Sequence, residues 1–262
     1  MVTLTDQLGR EITLSNQPKR IVSLVPSQTE LLYYLGLDSA ICGITKFCIH
    51  PTQKTLNTVK IGGTKQLNIP LIKSLGPDLI IANKEENDRL QLEELMSGYP
   101  TYVSDPYNLT TALQMINDVG VLTGREGPAR QLYDAIMTAF NKLYLPPQSL
   151  CVAYFIWRKP YMVAGKLTFI DDMLQQCGFT NVFEQARYPQ ISVNDLVAAN
   201  PDVVLLSSEP YPFKQKHVNE LQTLLPNAII KLVDGEMFSW YGSRMLYAPG
   251  YFMELINSIK QL

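Results

Sequence analysis

Five short clusters gather aromatic and polar side chains that can grip a small molecule. They are Phe47-Cys48-Ile49-His50-Pro51, Asn83-Lys84-Glu85-Glu86-Asn87, Trp157-Arg158-Lys159-Pro160-Tyr161, Glu209-Pro210-Tyr211-Pro212-Phe213 and Ser239-Trp240-Tyr241. Aromatic faces stack on flat or apolar ligands, while a few polar tips fix orientation. Both tryptophans of the chain, Trp157 and Trp240, fall inside these clusters. Catalytic motifs are nearly absent: no GxGxxG follows a strand, and there is no GxxxxGK[ST], GxSxG or HExxH. Gly62-Gly63-Thr64 reads as a turn and not as a phosphate loop.

Single residues leave alternatives open. His50 is either an axial metal ligand or hydrogen-bond donor to a ligand, or a structural histidine beside Pro51. On an extended chain Cys48 would share its face. The only other histidine, His217, is expected to be exposed in a polar loop, so a multi-histidine metal site cannot be built. Trp157 and Trp240 either stack on a ligand or pack in the core. Arg158 follows an apolar run, and a buried unpaired charge is costly, so it requires a carboxylate or a ligand as partner. Glu93-Glu94 and Asp171-Asp172 read as solvated surface, because adjacent helical residues do not face each other. Glu85-Glu86 is either part of a ligand site or an acidic helix start.

The elements that must position these clusters come in a repeated plan. Residues 20–25 form a β-rich run, followed by a helix over 30–35 that Ser27 or Thr29 can cap and Gly36 can stop. Further strands are expected over 40–44 and 77–82, with a helix over 69–75 between them. The second half repeats this with strands over 150–156 and 201–206 and helices over 168–176 and 195–199. Pro-Asp opens a strand in each half, at Pro77 and at Pro201. Unbroken apolar runs of this kind suit parallel sheets covered on both faces. Between the halves a helical pattern runs from about 109 to 143, with Gly124 and Gly127 able to kink it, Pro128 tolerated in a first turn and Pro146-Pro147 ending it. The fold class is therefore α/β, with two Rossmann-like lobes built on central parallel sheets and joined by a long spine helix. The boundaries expected are 1–105 for the N-terminal lobe, 106–146 for the spine and 147–262 for the C-terminal lobe.

Bulk composition excludes several classes of function. The 262 residues are 46% hydrophobic and 18% charged, with a formal net charge of −2. That balance fits a globular protein and disfavours nucleic acid or anionic membrane as partners. No run of about 18 apolar residues could span a bilayer. The first residues lack the apolar segment of a secretory signal, which leaves two locations open: the periplasm if a leader has been removed, and the cytoplasm otherwise. Cys42, Cys48, Cys151 and Cys177 show no CxxC spacing and are expected to be reduced thiols.

The segments RIVSLVPSQTELLYYLGL at 20–37, PDLIIANKEEN at 77–87, TFIDDMLQQCGFTNVF at 168–183 and RYPQISVNDLVAANPDVVLL at 187–206 carry a family likeness. With the long helical pattern between them, the chain resembles the helical-backbone class of periplasmic binding proteins. Those proteins serve ABC importers of vitamin B12, haem and ferric siderophores. The resemblance implies a non-enzymatic binder that holds cobalamin, haem or a ferric chelate in an interlobe cleft, with no intrinsic cofactor, and that acts as a monomer. It implies ligand contacts from Pro26, Ser27, Gln28, His50 and Gly63 in the first lobe. From the second half it implies Trp157, Arg158, Tyr188, Tyr211, Trp240 and Tyr241. His50 enters as an axial metal ligand at most. Permease docking in this class rests on one acidic residue per lobe, and the corresponding positions here are Arg89 and Asn194. Glu85, Glu86 or Asp195 would have to substitute. Two other readings stand beside this one: a cytoplasmic corrinoid- or haem-handling protein that has lost importer docking, and an enzyme using Arg158 and Glu209 on a small anionic substrate.

Overall fold

The computed structural model describes residues 1–143 and 150–260. They fall into two compact units. One comprises Met1–Pro106, Thr110–Ala135 and Tyr241–Arg244, the other Tyr107–Leu109, Ile136–Trp240 and Met245–Leu262.

The first unit opens with an antiparallel hairpin, β1 (Val2–Thr5) and β2 (Glu11–Leu14), closed by the Asp6 carboxylate accepting from the backbone of Leu8 and Arg10. Its central sheet contains β3 (Ile21–Ser23), β4 (Ile41–Ile44), β5 (Val59–Lys60), β8 (Leu79–Asn83) and β9 (Thr101–Ser104), in the order β5-β4-β3-β8-β9 and parallel throughout. Between them lie α1 (Pro26–Tyr34), α2 (Thr52–Thr55), the small ribbon β6 (Gly62–Gly63) and β7 (Gln66–Leu67), α3 (Ile69–Ser74) and α4 (Arg89–Met96). All five residues of β8 are buried, as an apolar run covered on both faces must be.

Helix α1 differs from expectation at its start. It begins at Pro26, whose missing N–H costs nothing at that position, and Val25 offers no side-chain cap. Ser27 and Thr29 therefore sit inside the helix, and the Thr29 hydroxyl donates back to the Val25 carbonyl at 2.8 Å.

The helical pattern over 109–143 becomes two helices, α5 (Leu109–Thr123) and α6 (Glu126–Asn141), not one. Gly124 between them adopts φ +63, a left-handed conformation that ends α5, and Arg125 closes the turn with an N–H donated to the Gly120 carbonyl at 2.7 Å. Pro128 then occupies the first turn of α6, whose Ala129, Leu132, Ile136 and Phe140 form its buried stripe. The expected stop at Pro146-Pro147 lies outside the described residues.

The second unit carries β10 (Cys151–Trp157), β11 (Tyr161–Val163), β12 (Thr180–Asn181), β13 (Gln190–Ile191), β14 (Val203–Ser207) and β15 (Ile229–Val233). Their order is β13-β11-β10-β14-β15, with β12 also on β10. Strands β10, β14 and β15 are parallel, while β11 and β13 add an antiparallel margin. Helices α7 (Phe169–Gln176), α8 (Val193–Ala199), α9 (Gln215–Leu224), α10 (Glu236–Ser239) and α11 (Ala248–Lys260) complete it. Thr168 caps α7, and Ser192 with Asp195 forms a capping box on α8. The core includes Phe155, Leu196, Val204, Leu206, Phe213 and Leu221.

Asp171 and Asp172 are not the solvated surface pair expected. Asp171 is buried, accepting from Asn181 at 2.9 Å and from Gln175 at 2.8 Å, and Asp172 accepts from the Leu109 backbone at 2.7 Å. A buried carboxylate is tolerable because these donors replace its water. Glu93 and Glu94, by contrast, are exposed and pair with Arg89 and Lys73. All four cysteines are free thiols.

Candidate functional site

In the first unit the chain leaves β4 through Thr45-Lys46 into a turn, not a continued strand. Cys48 points inward, its sulfur 3.1 Å from the hydroxyls of both Thr29 and Thr45, and burial pushes its thiol pKa up. Phe47 and Ile49, on either side of it, are about half exposed. His50 is half-buried and precedes a cis His50–Pro51 bond, and residues 45–50 are not a strand, so the extended-chain premise for a face shared with Cys48 does not hold. Gly63 supplies the floor beneath Phe47: a Cβ there would lie 3.2 Å from the Phe47 ring. Phe47 is thus an exposed aromatic at a strand's carboxyl end that the site assignment from sequence passed over. Its place in the first cluster was the available signal.

The α1 start holds buried polar groups. Gln28 is turned into the unit, donating to the Ser104 hydroxyl and, at 3.4 Å, to the Met115 sulfur. Its amide oxygen and the Ser27 hydroxyl are buried without a partner among the described residues, whereas Pro26 is half-buried. After β8 the loop is fixed by Asn83, whose side-chain oxygen accepts from the backbone of Glu85 at 2.8 Å and of Glu86 at 3.0 Å. Glu86 in turn accepts the Tyr241 hydroxyl at 2.8 Å. Arg244 forks onto Glu30 at 2.7 and 3.1 Å. Nothing in the sequence signalled that pair, because its partners lie 214 residues apart.

In the second unit the carboxyl ends of β10 and β14 meet. Trp157 stays 39% exposed, and its ring stands edge-on to Tyr211 with centroids 5.7 Å apart. Tyr211 continues into Phe213 and His217. Arg158 finds the carboxylate it required in Glu220, at 2.6 and 2.9 Å, and Tyr161 donates to the same carboxylate at 2.9 Å. Burial pushes the Glu220 carboxyl up, but the Tyr161 hydroxyl and the Arg158 guanidinium outweigh it and hold the group below the usual range. Tyr188 is half-buried in the stretch before β13.

His217 corrects the expectation of an exposed loop histidine. It is buried near the start of α9, where its Nδ1 accepts the Lys214 backbone N–H at 2.9 Å. That bond assigns the proton of the neutral ring to Nε2, which faces the Tyr211 hydroxyl at 3.4 Å. Burial first, then the Arg158 charge, lowers its pKa.

Trp240 and Tyr241 are both buried. The Trp240 indole N–H and the Ser239 hydroxyl donate to one oxygen of Glu209, at 2.7 and 2.8 Å. Burial pushes the Glu209 carboxyl up despite both bonds. Among the described residues no group of three or more His, Cys, Asp or Glu side chains could hold a metal ion. No helix among them is long and apolar enough to cross a membrane. The positions compared with importer-docking acids, Arg89 and Asn194, are both exposed, and Arg89 pairs with Glu93 on its own helix.

Two α/β units with parallel sheets, and aromatic and polar side chains gathered where strands end, define a solute-binding protein more readily than a catalyst. The family model described as periplasmic binding protein matches residues 21–224, and the chain belongs to that family. The family is one of binding proteins, not enzymes. The uncharacterised ABC transporter substrate-binding lipoprotein YvrC of Bacillus subtilis strain 168 is 27% identical over 216 residues, covering 78% of this chain and 68% of that one. A vitamin B12-binding protein of Vibrio parahaemolyticus is 25% identical over 203 residues, covering 75% and 74%. Among solved structures, a possible iron-binding periplasmic solute-binding protein of Staphylococcus epidermidis ATCC 12228 matches with a TM-score of 0.76 at 24% identity. It covers 93% of this chain and 99% of that one, a likeness of fold.

Proposed function

We propose that this chain is the solute-binding component of an ABC-type uptake system and holds a corrinoid, haem or ferric chelate without changing it chemically. Family membership supports binding; the ligand class rests on one observation. Trp157 keeps 39% of its surface exposed while its ring is held edge-on by Tyr211, at the carboxyl end of two parallel strands. Open α/β sheets bind ligands at such ends, and an exposed indole with a fixed tilt suits a flat or lobed chelate. Tyr188, Tyr211 and Trp240 in the second unit would line the ligand with Trp157. In the first unit the candidate ligand contacts are Pro26, Ser27, His50 and Gly63 beside Phe47, with Tyr241 bonded to Glu86. His50 would be an axial ligand to a bound metal at most.

Delivery would take place in the periplasm, at a permease. By the family resemblance the docking positions would fall at Arg89 and Asn194, so docking would use neighbouring acids: Glu85, Glu86 or Asp195. The chelate-binding reading is tested by optical titration of the purified protein with cobinamide, cobalamin, haemin and a ferric siderophore. A spectral shift with quenching of tryptophan fluorescence is expected for one of them, and no change with any of the four overturns the reading. His50→Ala is expected to alter the bound metal spectrum; an unchanged spectrum returns His50 to a structural role.

A further inference from the structure

Glu209 is held in place more firmly than a surface carboxylate needs to be. It lies two residues beyond β14, where the Ser207 hydroxyl, itself bonded to Tyr154, fixes the Glu209 backbone. Gly235 packs against its stem so closely that a Cβ there would fall 2.7 Å from Glu209 Cγ. The donors from Trp240 and Ser239 both converge on Oε1. Oε2 accepts nothing from the described residues, yet it is not sealed away.

The charge environment is as unusual as the geometry. Asp234 and Glu236 are the charged neighbours that act on this carboxyl, both of the same sign, and no lysine or arginine pairs with it among the described residues. A partly desolvated carboxylate with no cation is costly unless something else compensates it. If Glu209 served only as an acceptor that allows the indole of Trp240 to be buried, a neutral amide oxygen would serve equally well.

We infer that Glu209 sets ligand specificity: its free Oε2 accepts a hydrogen bond from an amide, amine or hydroxyl on the edge of the ligand, and its charge, with those of Asp234 and Glu236, disfavours ligands that present carboxylates there. This rests on the chelate-binding reading above and narrows it to amide-edged chelates of the corrinoid kind over carboxylate-edged ones such as haem.

The test compares dicyanocobinamide, whose edge carries amides, with haemin, whose edge carries two propionates, on the wild-type chain and on Glu209→Gln. The variant keeps an oxygen for Trp240 and Ser239, and near-UV circular dichroism checks that its packing is unchanged. Wild type is expected to prefer cobinamide, and the substitution to weaken cobinamide about tenfold or more while leaving haemin unchanged or tighter. Cobinamide affinity unchanged in Glu209→Gln, equal losses for both ligands, or a wild-type preference for haemin overturns the inference and leaves chelate binding standing. A second comparison needs no variant: cobinamide with one edge amide hydrolysed to a carboxylate should bind wild type about tenfold more weakly, and equal binding overturns the proposal. If wild type binds neither cobinamide nor haemin, the inference fails, and the remaining probes of the optical titration decide whether the broader reading fails with it.

Discussion

The indole N–H of Trp240 lies 2.7 Å from Oε1 of Glu209, so the buried tryptophan and the half-buried carboxylate depend on each other. Trp240→Phe keeps most of the apolar volume and removes the donor. A bond to a charged acceptor contributes about 1.5–3 kcal/mol, and the variant should lose about that much stability in urea unfolding with an unchanged m-value. Glu209→Gln should do the reverse at neutral pH. Burial raises the folded pKa of Glu209 above its ordinary value of 4.5. Its contribution is therefore complete below that value and is lost as pH rises through the folded pKa. The stability of Glu209→Gln relative to wild type should grow between about pH 4 and pH 7 and be smallest at the acid end.

His217 titrates in the opposite sense. Its folded pKa lies below the ordinary 6.5, chiefly through burial, so the stability it contributes is present above 6.5 and lost as pH falls through the folded value. Protonation would also remove the acceptor that Nδ1 offers to the Lys214 N–H. The His217 contribution should shrink between about pH 7 and pH 5, and it is read as the difference in slope between wild type and a His217 variant, because Glu209 acts with the opposite sign in that range. His217→Gln, whose amide oxygen can accept the same N–H, should flatten that slope; an identical slope would place the titration elsewhere.

Arg158 and Glu220 form a two-bond ion pair that Tyr161 extends. Because Glu220 is partly exposed, solvent screens the pair, and a double-mutant cycle to alanine should give a coupling of only about 1 kcal/mol. Added salt should reduce it. A coupling near zero would mean that the fork adds nothing to the pinning of the Trp157 loop.

Gly62 adopts φ +105, and a Cβ there would fall 2.4 Å from the Gln66 carbonyl oxygen across the β6–β7 ribbon. Gly62→Ala should therefore cost about 2–3 kcal/mol from strain and overpacking together. Gly98→Ala, where a Cβ meets nothing within 4 Å, is the matched control and should change stability by less than about 1 kcal/mol. Comparable losses in the two variants would show that the ribbon adapts.

The strands β8 and β14 were legible because each is an apolar run opened by Pro-Asp and buried on both faces, so composition alone carries the signal. The glycine stops at Gly36 and Gly178 were readable for a similar reason, since each takes a positive φ that other residues avoid. The hairpin of β1 and β2 was not legible: its strands are four residues each, and only Ile12 and Leu14 of β2 face inward. The break in the long helical pattern was half-legible, because Gly124 marked a kink but not a full left-handed stop.

For the candidate site the sequence supplied the clusters but not the direction of their side chains. It placed Trp157, Tyr211 and Glu209 beyond strand ends, because an apolar run followed by polar and aromatic residues has few other solutions in an α/β fold. It could not turn Gln28 inward onto Ser104, bury His217 against Lys214 and Tyr211, or find Asp171 its two donors. Local sequence fixes which backbone forms, since propensity, capping and apolar period act within a few residues. The partner of a polar side chain is decided by whichever donor tertiary packing brings within about 3 Å of it. Arg158 had to have a partner once it followed an apolar strand; only the fold made that partner Glu220, and only the fold left Oε2 of Glu209 without one.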